Sequence, residues 1–256
     1  MNVWKFFSSS LTVAEMEARR VRHDPTELFT RAIQPALWLL IFGEVFTSIR
    51  AVNTGPYTYL QFITPGVLAQ SVLFIAIFYG ITVVWERDVG LLTKLLSTPS
   101  PASAIVLGKS LAAGVRGAFQ ALMIFILAVL IGVNLRLAPL DVLGVFLVVV
   151  LNAMCFSSLS MLLAAILKTR DRMMGIGQAI TMPLFFGSNA IYPTSLMPTW
   201  LQGIAAFNPL SYIVNALRAL LLSGDYSQLP VDLVITLAYT AVFLAAASIM
   251  IRRLLE

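Results

Sequence analysis

Long apolar runs alternate with short polar islands along this chain, and the runs are long enough to cross a bilayer. A helix rises about 1.5 Å per residue, so ~20 apolar residues cover a hydrocarbon core of roughly 30 Å. The pattern predicts spans at Ile33–Ile49, Phe62–Trp85, Ile105–Val133, Pro139–Leu167, Met173–Ile191 and Leu233–Ile251. The third and fourth runs exceed what the bilayer needs and are expected to tilt or protrude. The expected fold is an all-α polytopic membrane protein of about six transmembrane helices, forming one transmembrane domain over residues 1–256.

Composition sharpens this picture. The chain is 59% hydrophobic and 11% charged, whereas a soluble domain carries about 45–50% apolar and about 25% charged residues. Spans and connectors consume the length, so no separate soluble domain is expected. Fourteen lysines and arginines fall at the N-terminus, after the second and fourth spans, and in the tail. Only Arg50, Arg136 and Arg218 fall on the other side. The positive-inside bias therefore predicts that both termini are cytoplasmic. It also accounts for the formal charge of +5 without nucleic acid. Met1–Ser10 lacks a charged region followed by an apolar one, so the first span is expected to be its own insertion signal. The single cysteine, Cys155, lies in an apolar run and has no intramolecular partner for a disulfide.

Three connectors carry patterns of their own. In the cytoplasmic lead-in, residues 1–32, the stretch Leu11–Arg22 reads as an amphipathic helix on the membrane surface. Asp24-Pro25-Thr26-Glu27 then restarts the chain, with Asp24 as N-cap and Glu27 as the reciprocal capping carboxylate. In the 86–104 loop, Val89, Leu91, Leu92, Leu95 and Leu96 recur at helical spacing until Thr98-Pro99-Ser100-Pro101 stops the helix. In the outer connector, 192–232, the apolar pieces Thr199–Phe207 and Leu210–Leu222 are too short to span and read as re-entrant or interfacial helices. Ser211, Asn215 and Arg218 share one face of the second piece.

No enzyme chemistry is legible. His23 is the sole histidine, which excludes a zinc site and a Ser-His-Asp triad. Apart from Asp141 in the first turn of the fourth run, Glu44 is the one carboxylate inside a span, and no two carboxylates are placed to face each other, so a paired-carboxylate mechanism also fails. Gly108-Lys109-Ser110 resembles the end of a phosphate loop, but Ser103 stands where that motif needs glycine. Glu44, Asn152, Gln178 and Asn189 are candidates for a polar pathway. The competing reading for the amides, with Gln34, Ser157, Ser158 and Ser160, is interhelical hydrogen bonding. Pro35 and Pro183 should kink their helices, and Gly114 with Ala118 offers a small face for close packing.

Two stretches carry a family likeness. Trp85-Glu86-Arg87-Asp88-Val89-Gly90-Leu91-Leu92, continuing through Leu95-Leu96-Ser97-Thr98-Pro99 to Leu107-Gly108-Lys109, resembles the cytoplasmic segment of type-2 ABC exporter permeases. Met197-Pro198-Thr199-Trp200-Leu201, then Asn208-Pro209-Leu210-Ser211-Tyr212 and Ala216-Leu217-Arg218, resembles their outer region, in particular that of daunorubicin-type drug-resistance permeases. Thr64-Pro65-Gly66 matches the usual head of their second span.

The resemblance implies a permease subunit in the cytoplasmic membrane that dimerises and engages a separate ATP-binding cassette subunit. This chain would hold no cofactor, and ATP and magnesium would sit on the partner. Glu86, Arg87, Asp88, Leu92, Leu95 and Leu96 would couple to that subunit, and the surface helix with Glu15, Arg19 and Arg22 would touch it. Trp200, Asn208, Pro209, Tyr212 and Arg218 would belong to an outer lid. Asp88 stands where the family commonly has glutamate, which leaves open the salt bridge made there. The implied activity is export of a hydrophobic or amphipathic small molecule. The alternatives are a lipid-linked polysaccharide, which would favour Tyr57, Tyr59, Tyr79, Tyr192 and Tyr212 along a wide pathway, or an ATP-independent secondary transporter using Glu44.

Overall fold

The computed structural model describes residues 3–23, 25–49, 54–98 and 100–254, with side chains described except at 3–5, 17–18, 20–29, 31 and 49. The expected N-cap Asp24, the outer Arg50 and the helix-stopping Pro99 lie outside these residues, as do the side chains of Arg22 and Glu27.

The described residues are helical over most of each predicted span, the third run leaving the helix after Leu130 and the fifth after Phe186, with no strand among them. Helix α1 (Val3–His23) begins at Val3 rather than Leu11 because Phe6, Ser10 and Val13 continue the inward stripe, with Ser10 and Val13 buried. Helix α2 (Pro25–Leu37) restarts the chain where expected and passes through a π turn, Trp38–Gly43, into α3 (Glu44–Ile49). Pro35 lacks the N–H that would continue the regular ladder, and the wider turn begins three residues beyond it.

Helix α4 (Tyr59–Asp88) opens on a capping box that the sequence reading did not identify. The Thr58 hydroxyl accepts from the Gln61 backbone N–H, and the Gln61 side chain accepts from the Thr58 N–H. After a short helix α5 (Leu91–Leu96) come α6 (Ala102–Leu130), α7 (Pro139–Leu167) and α8 (Arg170–Phe186). Then α9 (Thr199–Phe207) meets α10 (Pro209–Arg218), which runs on through a second π turn, Ala219–Ser223, and α11 (Leu229–Met250) closes the chain.

Four of these helices, α4, α6, α7 and α11, are long and apolar enough to cross a membrane, and the pair α9–α10, bent by 84° at Asn208, makes a fifth if taken as one span. The runs expected at Ile33–Ile49 and Met173–Ile191 are shorter elements: the first is divided by its π turn, and α8 is 17 residues long.

Helix α4 is apolar on all sides and is the most enclosed of the long helices, with 78% of its apolar window buried against 22% for α11. Its neighbours reach it through polar groups. Asn152 on α7 donates to the Ala69 carbonyl at 3.0 Å. The Ser160 hydroxyl donates to the Ile77 carbonyl and accepts from the Gly80 N–H at 2.9 Å. Ser110 and Ser158 join α6 to α7 at 3.0 Å. These serines and Asn152 thus serve as interhelical hydrogen bonds. Close packing of α6 rests on Gly114 against Val150 and on Gly117 between Ala153 and Val72, while the expected second small residue, Ala118, is only half-buried. Gly66 on α4 lies directly under the Ala190 backbone.

A methyl group at Gly66 would overlap the Ala190 carbonyl, so Gly66→Ala is expected to lower stability by about 1–3 kcal/mol. Gly175, in the interior of α8, has open space around it, and Gly175→Ala should raise stability by roughly 0.5–1 kcal/mol. Thermal unfolding of the two variants in lipid nanodiscs compares them directly.

Candidate functional site

Three consecutive residues near the start of α6 each meet a different neighbour. The Gly108 backbone lies against the Ser10 carbonyl and Val13 of α1, where any side chain would force the helices apart. Lys109 donates to Glu86 Oε2 at 2.5 Å, and both side chains are 0% exposed. Ser110 reaches Ser158 of α7. The segment that resembles a phosphate loop is therefore a junction: one turn of α6 holds α1, the end of α4 and α7 together. Glu86 works inside the protein, so it cannot itself lie on a surface that a partner touches.

The neighbouring charges lie on the surface. Asp88 accepts from Arg87 at 2.6 Å and from Arg170, at the head of α8, at 2.8 Å. The shorter aspartate thus forms the salt bridge that the sequence left open, and it links the end of α4 to the start of α8. Gly90 follows with φ +75°, a left-handed conformation that glycine adopts without strain, and it turns the chain into α5. On α5, Leu92 is fully buried, Leu95 and Leu96 are half-buried, and Thr93 and Lys94 face outward. The outward face is therefore polar, and the leucines anchor the loop. On α1, Glu15 and Arg19 form an exposed pair at 2.6 Å, beside the exposed Phe7 and Leu11.

At the opposite end, the lid residues satisfy backbone groups. Ser188 N bonds to Phe185 O and Gly187 N to Pro183 O as α8 ends. Asn208 Nδ2 donates to Leu184 O at 2.6 Å, and its Oδ1 caps the Leu210 N–H at 3.0 Å. Pro209 occupies the first turn of α10, where a missing N–H costs nothing. Tyr212 donates to the Ala206 carbonyl at 2.6 Å. Arg218 donates to the Asn189 carbonyl at 2.5 Å and lies 3.8 Å over the Phe62 ring. Asn189 Nδ2 in turn donates to Asn215 Oδ1 at 2.5 Å. Trp200 stands apart from this network, 68% exposed on α9.

The four candidate pathway residues do not converge. Asn152 is buried against α4, Asn189 belongs to the network around Arg218, and Glu44 is exposed at the start of α3. Gln178 alone lines a cavity, of about 310 Å³ and open to the surface, formed by Thr30 and Gln34 of α2, Ser71, Phe74, Ile75 and Phe78 of α4, and Gln178 of α8. Amides and hydroxyls there stand beside phenylalanine rings, which suits a molecule with polar and apolar parts.

Sequence reasoning missed Lys109 as the partner of Glu86 and Arg170 as the partner of Asp88. Lys109 carried a signal: it is the one charge in the apolar run Ala104–Ala113. Arg170 carried none beyond its place in a basic connector.

A sequence model of the ABC-2 type transporter family matches residues 10–222. Among curated proteins, the transport permease ycf38 of Cyanophora paradoxa is 29% identical over 204 residues, covering 78% of this chain and 70% of its own. The daunorubicin resistance ABC transporter permease protein DrrB1 of Streptomyces coeruleorubidus is 27% identical over 214 residues, covering 84% and 75%. The inner membrane transport permease YadH of Escherichia coli is 27% identical over 223 residues, covering 84% and 81%. These relatives are named as transport permeases, which are membrane components rather than enzymes.

Removing the ammonium from beside the buried Glu86 carboxylate should be costly. Lys109→Met is expected to lower stability by about 3–5 kcal/mol, and adding Glu86→Leu should recover most of the loss. Asp88→Asn, at a pair that solvent reaches, should cost no more than about 1 kcal/mol, and less as salt is raised. Denaturation of the purified variants at two ionic strengths distinguishes the two sites.

Proposed function

The chain belongs to the ABC-2 type transporter family, and we propose that it is the membrane subunit of an ATP-driven exporter in the cytoplasmic membrane. Its cargo on this reading is a hydrophobic or amphipathic small molecule, drug-like or lipid-like. Both termini and the end of α4 that carries Asp88 face the cytoplasm, as the fourteen basic residues there favour. The family normally pairs with an ATP-binding subunit, and here two copies of the permease engage two copies of it.

The junction at Gly108-Lys109-Ser110 is the observation that carries this reading. A push on the polar face of α5 or on α1, delivered as the ATP-binding subunits close, reaches α4 through Leu92 and Glu86. It reaches α6 through Lys109 and α8 through the Asp88–Arg170 bridge. Helices α4 and α8, with α2, line the open cavity at Gln178, so movement at the basic end changes the shape of that cavity. Glu86 therefore transmits motion from within rather than by touching the partner. The mixed lining of the cavity, and a relative named for daunorubicin resistance, favour an amphipathic small molecule as cargo.

Co-expression with the candidate ATP-binding subunit, followed by mass determination and an ATPase assay in mild detergent, tests the assembly. A 2:2 complex with coupled hydrolysis is the expected result. A solitary permease with no ATP dependence would overturn the reading and return attention to Glu44. In reconstituted vesicles, Glu86→Ala should insert yet lower transport at least tenfold, and the charge-free Glu86→Leu/Lys109→Met variant, which strands no buried charge, should lower it likewise; unchanged transport in the double variant would remove Glu86 from the coupling path. Stimulation of the ATPase by amphipathic drugs rather than by lipid-linked oligosaccharides decides between the two cargo classes.

A further inference from the structure

Four buried polar atoms between α4 and the α10 side have no hydrogen-bond partner among the described residues: Gln70 Oε1, Asn189 Oδ1, Ser211 Oγ and Arg218 Nε. Gln70 is 2% exposed, Asn189 5% and Ser211 6%. An unmet polar atom in such a place costs about 1–3 kcal/mol, and in a lipid-embedded protein bulk water is not at hand to meet it.

The four atoms lie at two heights along the bundle. Arg218 and Asn189 are adjacent, since the Arg218 Nη2 donates to the Asn189 carbonyl at 2.5 Å. The register of the surrounding helices places the other two. Gly66 of α4 lies under Ala190, and Ile77 of α4 meets Gly177 of α8. Gln70 and Leu184 are each seven residues from that second contact, in opposite chain directions, so they stand at one level. Leu184 accepts from Asn208, one turn from Ser211. Gln70 and Ser211 are therefore level with each other, about 10 Å by helix rise from the Arg218–Asn189 pair.

Each level mixes donors and acceptors: the Arg218 Nε–H donates and Asn189 Oδ1 accepts, while Gln70 Oε1 accepts and the Ser211 hydroxyl can do either. An anion would use only the donors and a cation only the acceptors. A water molecule uses both, and internal waters typically make about three hydrogen bonds to buried groups of this kind. We infer that the seam between α4 and α10 is a hydration site holding internal water, one position between Arg218 and Asn189 and another between Ser211 and Gln70. Water-bridged partners exchange more readily than direct ones, so α10 is held to α4 by contacts that permit sliding, whereas Lys109 and Glu86 are held by a direct ion pair. This inference stands whether or not the chain is driven by ATP.

The test is a structure of the full chain in lipid nanodiscs at a resolution that shows water. Ordered density within roughly 2.7–3.2 Å of the paired atoms is expected at both positions. Empty, collapsed packing, or a direct Ser211–Gln70 hydrogen bond, would overturn the inference. Gln70→Leu gives a second readout. A hydrated seam loses a hydrogen-bonded group and its Tm falls, with the density at Arg218 retained. A dry seam sheds an unmet carbonyl and its Tm stays level or rises, which counts against the inference.

Discussion

Two opposite charges with no solvent exposure, Glu86 and Lys109, set the conditions for the rest of the molecule. Withdrawing a carboxylate and an ammonium from water costs several kcal/mol each, and only a close, well-held pairing offsets it. Helices α4 and α6 must therefore meet at one height and one rotation. Because Gly108 and Ser110 flank the lysine, that same constraint places α1 and α7. The loop between α4 and α6 has little freedom left, and Leu92 fills the space beneath it.

The opposite end is held on different terms. Helices that stop near or within a membrane leave backbone carbonyls without partners, and each must find a donor. Asn208 meets Leu184, Tyr192 meets Phe186, Tyr212 meets Ala206, Tyr239 meets Phe207, and Arg218 meets Asn189. Single side-chain donors, rather than a salt bridge, let α9 and α10 turn through 84° without stranding the peptide groups at the bend.

Much of this was legible in the sequence, because the signals were local. Apolar run length located α4, α6, α7 and α11, and prolines with short apolar pieces marked α9 and α10 as too short to span singly. The early start of α1 was hidden because its stripe is read only against α6: Phe6 and Ser10 look unremarkable until Gly108 supplies the groove. The π turn at Trp38–Gly43 lay beyond reach, since Pro35 announces a break without fixing its geometry. Among the candidate residues, the motif around Glu86 was legible, but the inward direction of the Glu86 side chain was not. A charge beside an exposed loop reads as surface, and only a distant lysine in an apolar run reveals that it points inward. The pathway candidates separate for the same reason, as Asn152 and Asn189 find partners that spacing along one helix cannot reveal.

The burial of α4 bears on how the protein is made. Its central contacts are with residues far downstream: Asn152, which bonds to the Ala69 carbonyl, is 83 positions later in the chain. At a synthesis rate of about 5–20 residues per second, the Ala69 turn waits roughly 4–17 seconds for that partner to be translated. During that interval Thr64, Gln70 and Ser71 face lipid or the insertion machinery, not the protein that later covers them. Thr64 and Ser71 donate to carbonyls of their own helix, Leu60 and Leu68, and so carry their hydroxyls through the delay unaided. A nascent α4 is in this sense provisioned to survive alone in the membrane before it becomes the axis of the finished bundle.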